Sequence, residues 1–154
     1  MSHGCSAILV RCIDFRLTHA VNKWLIKNRL MDDCDIISVA GSVKTIAEDL
    51  ESTESQWLIK QIKLSVSLHQ SRKLYLLHHT DCGAYGGCSA FDHFTVERKR
   101  HRDDMRKAKI AISSALPNLE IKTLLADIQT NNSTTSRVLS MLNLRKHTIR
   151  IEEV

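Results

Sequence analysis

The chain has 154 residues, 43% hydrophobic and 25% charged, which is enough for one ordinary core and too balanced for a disordered or fibrous protein. No apolar run approaches the ~18–20 residues of a membrane span, and the polar first six residues lead straight into a strand-like run, so neither a signal peptide nor an anchor is expected. The net charge of +5 invites a nucleic-acid partner, but seven basic and three acidic residues between Glu97 and Lys109 carry +4 of it, so the excess is one local feature.

Ala7-Ile8-Leu9-Val10 is a continuous apolar run, as expected of a strand buried on both faces. Similar runs are Ile36 to Ala40, Leu74 to Leu77 and Ile121 to Ala126, and their starts lie 29, 38 and 47 residues apart, leaving room for a crossover helix each time. The first crossover is Thr18–Asn28, with Ala20, Val21, Trp24 and Leu25 on one stripe. The second is about Ser55–Gln70, where Leu58, Ile62 and Val66 recur every four residues; Ile62, Leu64, Val66 and Leu68 also alternate as a strand would. The third, about Val96–Leu116, places Met105, Ala108, Ile112 and Ala115 on one face and stops at Pro117. After the polar stretch Thr130–Ser136 comes a short helical piece ending near Leu144, and Thr148 to Ile151 alternates as a final edge strand.

One Pro and five Gly supply few turns for a sandwich or barrel. Alternating strand and helix instead predict a single α/β domain over residues 1–154, with a mostly parallel four-stranded sheet, flanking helices and a short C-terminal edge strand. In such sheets a ligand site lies at the carboxyl ends of the strands. The first of these ends reads Arg11-Cys12-Ile13-Asp14-Phe15-Arg16, and in extended backbone Cys12, Asp14 and Arg16 share a face. The third reads His78-His79-Thr80-Asp81-Cys82-Gly83, where His79 and Cys82 can converge across a turn. Gly83, Gly86 and Gly87 permit tight backbone beside them.

Two thiols and one imidazole form a three-ligand zinc set with an open fourth position. Asp14 can accept a hydrogen bond from a water there or take the fourth position itself, while Arg16 holds Asp14 and keeps it ionised. The odd count of five cysteines, without a secretory signal, fits reduced thiols in the cytoplasm and no disulfide framework. Cys5 and Cys34 have no partner pattern, and Cys88 reads as a loop cysteine. Tyr85 is a candidate for the pocket wall. His93 and His101 read as surface histidines that could carry protons.

At these residues the sequence resembles the beta-class carbonic anhydrases, whose signature Cys-x-Asp-x-Arg … His-x-x-Cys-Gly stands here as Cys12 to Arg16 and His79 to Gly83. The resemblance spans about Ala7 to Ala126. It implies Zn²⁺ on Cys12, His79 and Cys82, an Asp14–Arg16 dyad, a homodimer or higher homo-oligomer, and reversible hydration of CO₂ to bicarbonate by a metal-bound hydroxide. Hydrolysis of carbonyl sulfide or carbon disulfide at the same site, or a zinc-binding interaction protein without turnover, are the alternatives. The family's usual Arg-Asn-Ala-Gly after the second strand is here Ser38-Val39-Ala40-Gly41, which keeps only Ala-Gly, and the family's N-terminal arm does not precede Ala7. The run Arg98-Lys99-Arg100-His101-Arg102 is the rival signal. It reads as the solvated start of a helix, with Asp103, Asp104 or acids of a partner subunit offsetting its unfavourable place near a helix N-terminus. With few aromatics for stacking, nucleic acid is not expected as a partner.

Overall fold

The computed structural model describes residues 3–130 and 147–154. Strands β1 (Ala7–Arg11), β2 (Cys34–Ser38), β3 (Lys73–His79) and β4 (Glu120–Thr130) run parallel, and β5 (His147–Glu153) returns antiparallel to β4, in the order β2-β1-β3-β4-β5. The central pair is β1 and β3, joined from Ala7↔Lys73 to Arg11↔Leu77, which brings both chemistry-bearing turns out side by side. Helices α1 (Thr18–Lys27), α2 (Lys44–Glu48), α3 (Thr53–His69) and α4 (Phe94–Ala115) complete the fold. None of the described helices is long and apolar enough to cross a membrane.

Each face of the sheet carries its own apolar layer, as the continuous runs of β1 and β3 require. Ile8, Val10, Leu74 and Leu76 pack with Ile46 of α2, Leu58 and Ile62 of α3 and Met105, Ala108 and Ile112 of α4. Leu9, Tyr75 and Leu77 pack with Val21 and Leu25 of α1 on the opposite face, where Trp24 meets Tyr75 edge-on with centroids 4.8 Å apart.

The helical period wins in α3. Leu58 and Ile62 are buried, whereas Leu64 and Leu68 of the competing strand pattern are exposed. Ser52 caps the helix by accepting from the N–H of Ser55, and Gln70 ends it in the left-handed region at φ 57°.

Three expectations are corrected, those for β2, β4 and β5, and one short helix, α2, was not expected. The second apolar run is not a strand buried on both faces. It forms the sheet edge, where only one neighbour covers it, and Ile36 is 48% exposed. β4 extends past Ala126 to Thr130 because β5 gives its distal half a partner, and β5 exceeds the expected Thr148–Ile151 for the same reason. α2, with a single buried residue in five, is too short to leave a periodic signal. The helical piece expected before Leu144 lies outside the described residues.

The basic run of α4 is offset by this chain's own acids. Arg98 pairs with Asp127 of β4 and Glu152 of β5. The Nε of Arg100 donates to Asp104 at 2.7 Å and its Nη2 to Glu48 at 3.1 Å, and Lys99 pairs with Asp103. Acids of a partner subunit are not needed for that purpose.

Candidate metal centre

β1 and β3 end in register, so the turns that follow them meet. Cys12 and Cys82, 70 residues apart in sequence, are 5% and 1% exposed, with their sulfurs 3.9 Å apart. The donor atoms of Cys12, His79 and Cys82 all lie within 4.8 Å of one another. The Nδ1 of His79 donates to the carbonyl of Thr80 at 2.9 Å, which leaves Nε2 with its lone pair. That Nε2 is fully buried and has no hydrogen-bond partner.

The Asp14 carboxylate stands 3.9 Å from the same atom. Arg16 holds it through its backbone N–H (2.9 Å), through Nε to both oxygens (3.0 and 3.1 Å) and through Nη2 to Oδ2 (2.6 Å). Burial pulls Asp14 upward, but the hydrogen bonds from Arg16 outweigh it and hold the carboxyl below its ordinary range. Arg16 is raised in turn, first by Asp14 and then by Asp81.

Asp81 went unremarked in the sequence. It occupies the left-handed region at φ 55°, a conformation Asp tolerates better than most residues. Its Oδ2 accepts from Arg16 Nη1 at 2.6 Å, its carbonyl accepts from Nη2 at 2.8 Å, and its Oδ1 accepts from the N–H of Cys88 at 3.0 Å. Arg16 therefore ties the β1 turn to the β3 turn. The buried Glu97 of α4 accepts from the Asp81 N–H; burial pushes this acid upward. The only available signal for Asp81 was an acid placed between the two β3 donors.

Gly41 shows why the Ala-Gly half of the altered motif stays. Its φ is +73°, its N–H donates to Cys12 Sγ at 3.4 Å, and a Cβ there would stand 3.0 Å from that of Ala84. The Cys12 thiol is pulled down by its hydrogen bond with Cys82, with His79 and the N–H groups of Asp14 and Gly41 acting in the same direction against burial. Cys82 is pushed up by the same pairing and by burial. A ligand thiol must give up its proton to bind a cation, and the downward pull on Cys12 favours that.

The fit to zinc can be tested on geometry. Two sulfurs ~2.3 Å from a tetrahedral ion stand about 3.8 Å apart, close to the 3.9 Å found here. The buried, unpartnered Nε2 supplies the third donor. Two soft sulfurs and an imidazole suit zinc better than the oxygen-seeking Mg²⁺ or Ca²⁺.

The other candidates separate clearly. Tyr85 turns its hydroxyl to Asp104 at 3.0 Å and meets His78 and His101 edge-on. Cys88 is an exposed loop cysteine. His93 is exposed ahead of α4. His101 is not a surface histidine: it is fully buried, 3.2 Å from His78 between Nδ1 atoms, because the inner face of α4 lies on the sheet there.

A mostly parallel α/β sheet with this strand order and an antiparallel edge strand is the architecture of the beta-carbonic anhydrases. The structure of tetrameric beta-carbonic anhydrases from the filamentous ascomycete Sordaria macrospora is similar over 99% of this chain and 81% of that chain, with a TM-score of 0.51. At 13% identity this likeness is one of fold. Residues 2–135 match the family described as "Putative carbonic anhydrase", and the chain belongs to that family as a divergent member. An uncharacterized protein of Rickettsia bellii is 27% identical over 123 residues, 78% of this chain and 75% of that protein. One of Rickettsia conorii is 26% identical over 123 residues, and the match covers 66% of its length.

Proposed function

We propose that the protein is a zinc-dependent carbonic anhydrase that interconverts carbon dioxide and bicarbonate. The observation that carries this reading is the buried Nε2 of His79, without a partner, within 4.8 Å of two thiol sulfurs and 3.9 Å from an arginine-held carboxylate. Cys12, His79 and Cys82 would hold the ion. When bound, zinc lowers the pKa of water from 15.7 toward ~7 and so supplies a nucleophile at neutral pH.

The chain's own residues do the rest. Asp14, kept ionised and fixed in rotation by Arg16, accepts a hydrogen bond from the attacking water and aims its lone pair at the carbon of CO₂. Arg16 also anchors Asp81, so the carboxylate cannot swing away without loosening both turns. Ile13 and Phe15, 60% and 84% exposed on either side of Asp14, supply an apolar rim. That rim supports self-association as a homodimer or larger assembly.

Stopped-flow CO₂ hydration by the zinc-loaded protein tests the reading. The expected result is a rate above buffer that Asp14→Ala strongly lowers. A rate at buffer background with zinc bound at Cys12 and Cys82 would overturn it, and the same preparation assayed on carbonyl sulfide would then separate a related hydrolase from a protein without turnover.

A further inference from the structure

At the amino end of the sheet, on the far side from Cys12, we propose a second metal site, in which Cys5, Asp35 and His69 hold a divalent zinc-class ion. The three residues come from separate parts of the fold: Cys5 from the segment before β1, Asp35 from β2 and His69 from the last turn of α3. Their donor atoms lie within 4.8 Å of one another. The backbone pins them together, since the N–H of Cys5 donates to the carbonyl of His69 at 3.0 Å and fixes the thiol beside the imidazole.

The Nδ1 of His69 is 2.6 Å from Asp35 Oδ2, and Ser65 Oγ donates to that oxygen. Cys5 Sγ lies 3.0 Å from Ser71 Oγ. The thiol also donates to the carbonyl of Ala7 at 3.3 Å, so each of the three groups has a local partner, and what is left to account for is that donors from three separate elements converge on one point. A thiolate, an imidazole and a carboxylate on one point are a borderline-soft donor set, which selects zinc over Mg²⁺ or Ca²⁺. The ring of His3 lies beside that of His69, with centroids 5.2 Å apart.

Access is also provided. The His69 and Asp35 side chains are 27% and 30% exposed, and the cluster borders an open cleft of about 540 Å³. On binding, the thiol proton of Cys5 leaves to solvent and the hydrogen between His69 and Asp35 gives way to the ion. The ion would then tie the segment before β1 to both β2 and α3, and so clamp the amino edge of the fold. This site stands apart from the CO₂ reading.

Zinc titration against a chromophoric chelator, with cobalt(II) as the spectroscopic stand-in, tests the proposal on the full chain. Cys5→Ser and His69→Ala, both at partly exposed positions, are each expected to bind one equivalent fewer than wild type. Cys5→Ser should also remove part of the thiolate-to-cobalt charge-transfer band. Unchanged stoichiometry in both variants overturns the proposal, whatever Cys12→Ser does. Loss of one equivalent in Cys12→Ser reports on the carboxyl-end centre alone, so failure of either site is read separately. In a Cys12→Ser background, a zinc-dependent rise in melting temperature that disappears with His69→Ala supports the clamp, and an unchanged melting temperature counts against it.

Discussion

The two ends of the sheet gather similar side chains under opposite conditions. At the carboxyl end Cys12, His79 and Cys82 are almost completely buried, and one of their donor atoms has no partner. At the amino end Cys5, Asp35 and His69 are partly exposed and already engaged with one another or with Ser65 and Ser71. A buried polar atom left unpaired costs about 1–3 kcal/mol, so the carboxyl-end cluster gains most from an occupant. The partly exposed set is satisfied by its neighbours, and an ion there must compete with them. On the proposals made above, similar residues would therefore hold an ion firmly at the carboxyl end and with weaker, conditional affinity at the amino end.

The largest contrast should come from exchanging one sulfur at each end. Cys12→Ser is expected to bring CO₂ hydration down to buffer background in stopped flow, whereas Cys5→Ser leaves it unchanged. Equal losses would show that the two ends are not independent. Next in size is Arg16→Ala, which frees both Asp14 and Asp81. Removing such a supporting partner typically costs 10–100-fold in metal affinity or activity, and Arg16→Lys should recover little because a lysine cannot serve two carboxylates as a fork does. A chelator competition assay gives the affinity directly.

A smaller effect concerns pH and again separates the ends, because among the described residues a buried histidine pair, His78 and His101, lies in the carboxyl half. His101 is pushed down to about 4 from an ordinary 6.5, by burial first and by His79 next. Cys12, His78, His79, Tyr85, Glu97, Arg100 and Asp104 are titratable groups that act on it or lie against it. Between pH 6.5 and about 4 the unfolded chain binds a proton at this position that the folded chain refuses, so stability falls as the pH is lowered through that window. The urea midpoint of His101→Gln should decline less steeply there; an identical slope would refute the assignment. The smallest change is Ser65→Ala at the amino end. Losing its hydrogen bond to Asp35 is expected to cost about 0.5–1.5 kcal/mol in chemical denaturation and to leave hydration untouched.

Much of this layout was legible because it repeats in one dimension. The apolar runs of β1 and β3 and the four-residue recurrence of α3 identify themselves by period, and the spacing Cys12-x-Asp14-x-Arg16 survives folding as one shared face. Position within the sheet is another matter. Nothing in Ile36-Ile37 distinguishes an edge strand from an inner one, because that depends on which strands fail to arrive beside it. Asp81 was hidden since its importance comes from Arg16, sixty-five residues away in the chain. The burial of His101 was masked by the charges on either side of it, although it stands four residues before Met105, on the same face as Ala108 and Ile112. Cys5, Asp35 and His69 share no local motif, and only the sheet's amino edge brings them together.

The arginine tie between the β1 and β3 turns also has a consequence in time. While β1 is paired with β2 alone, the nascent fold has Cys12 and the Gly41 amide beside it, but neither His79 nor Cys82. The set is complete only once β3 pairs with β1 across a connection of some sixty residues, whose closure costs more entropy than the shorter one between β1 and β2. The burial of both sulfurs therefore depends on the longer-range of the two pairings of β1.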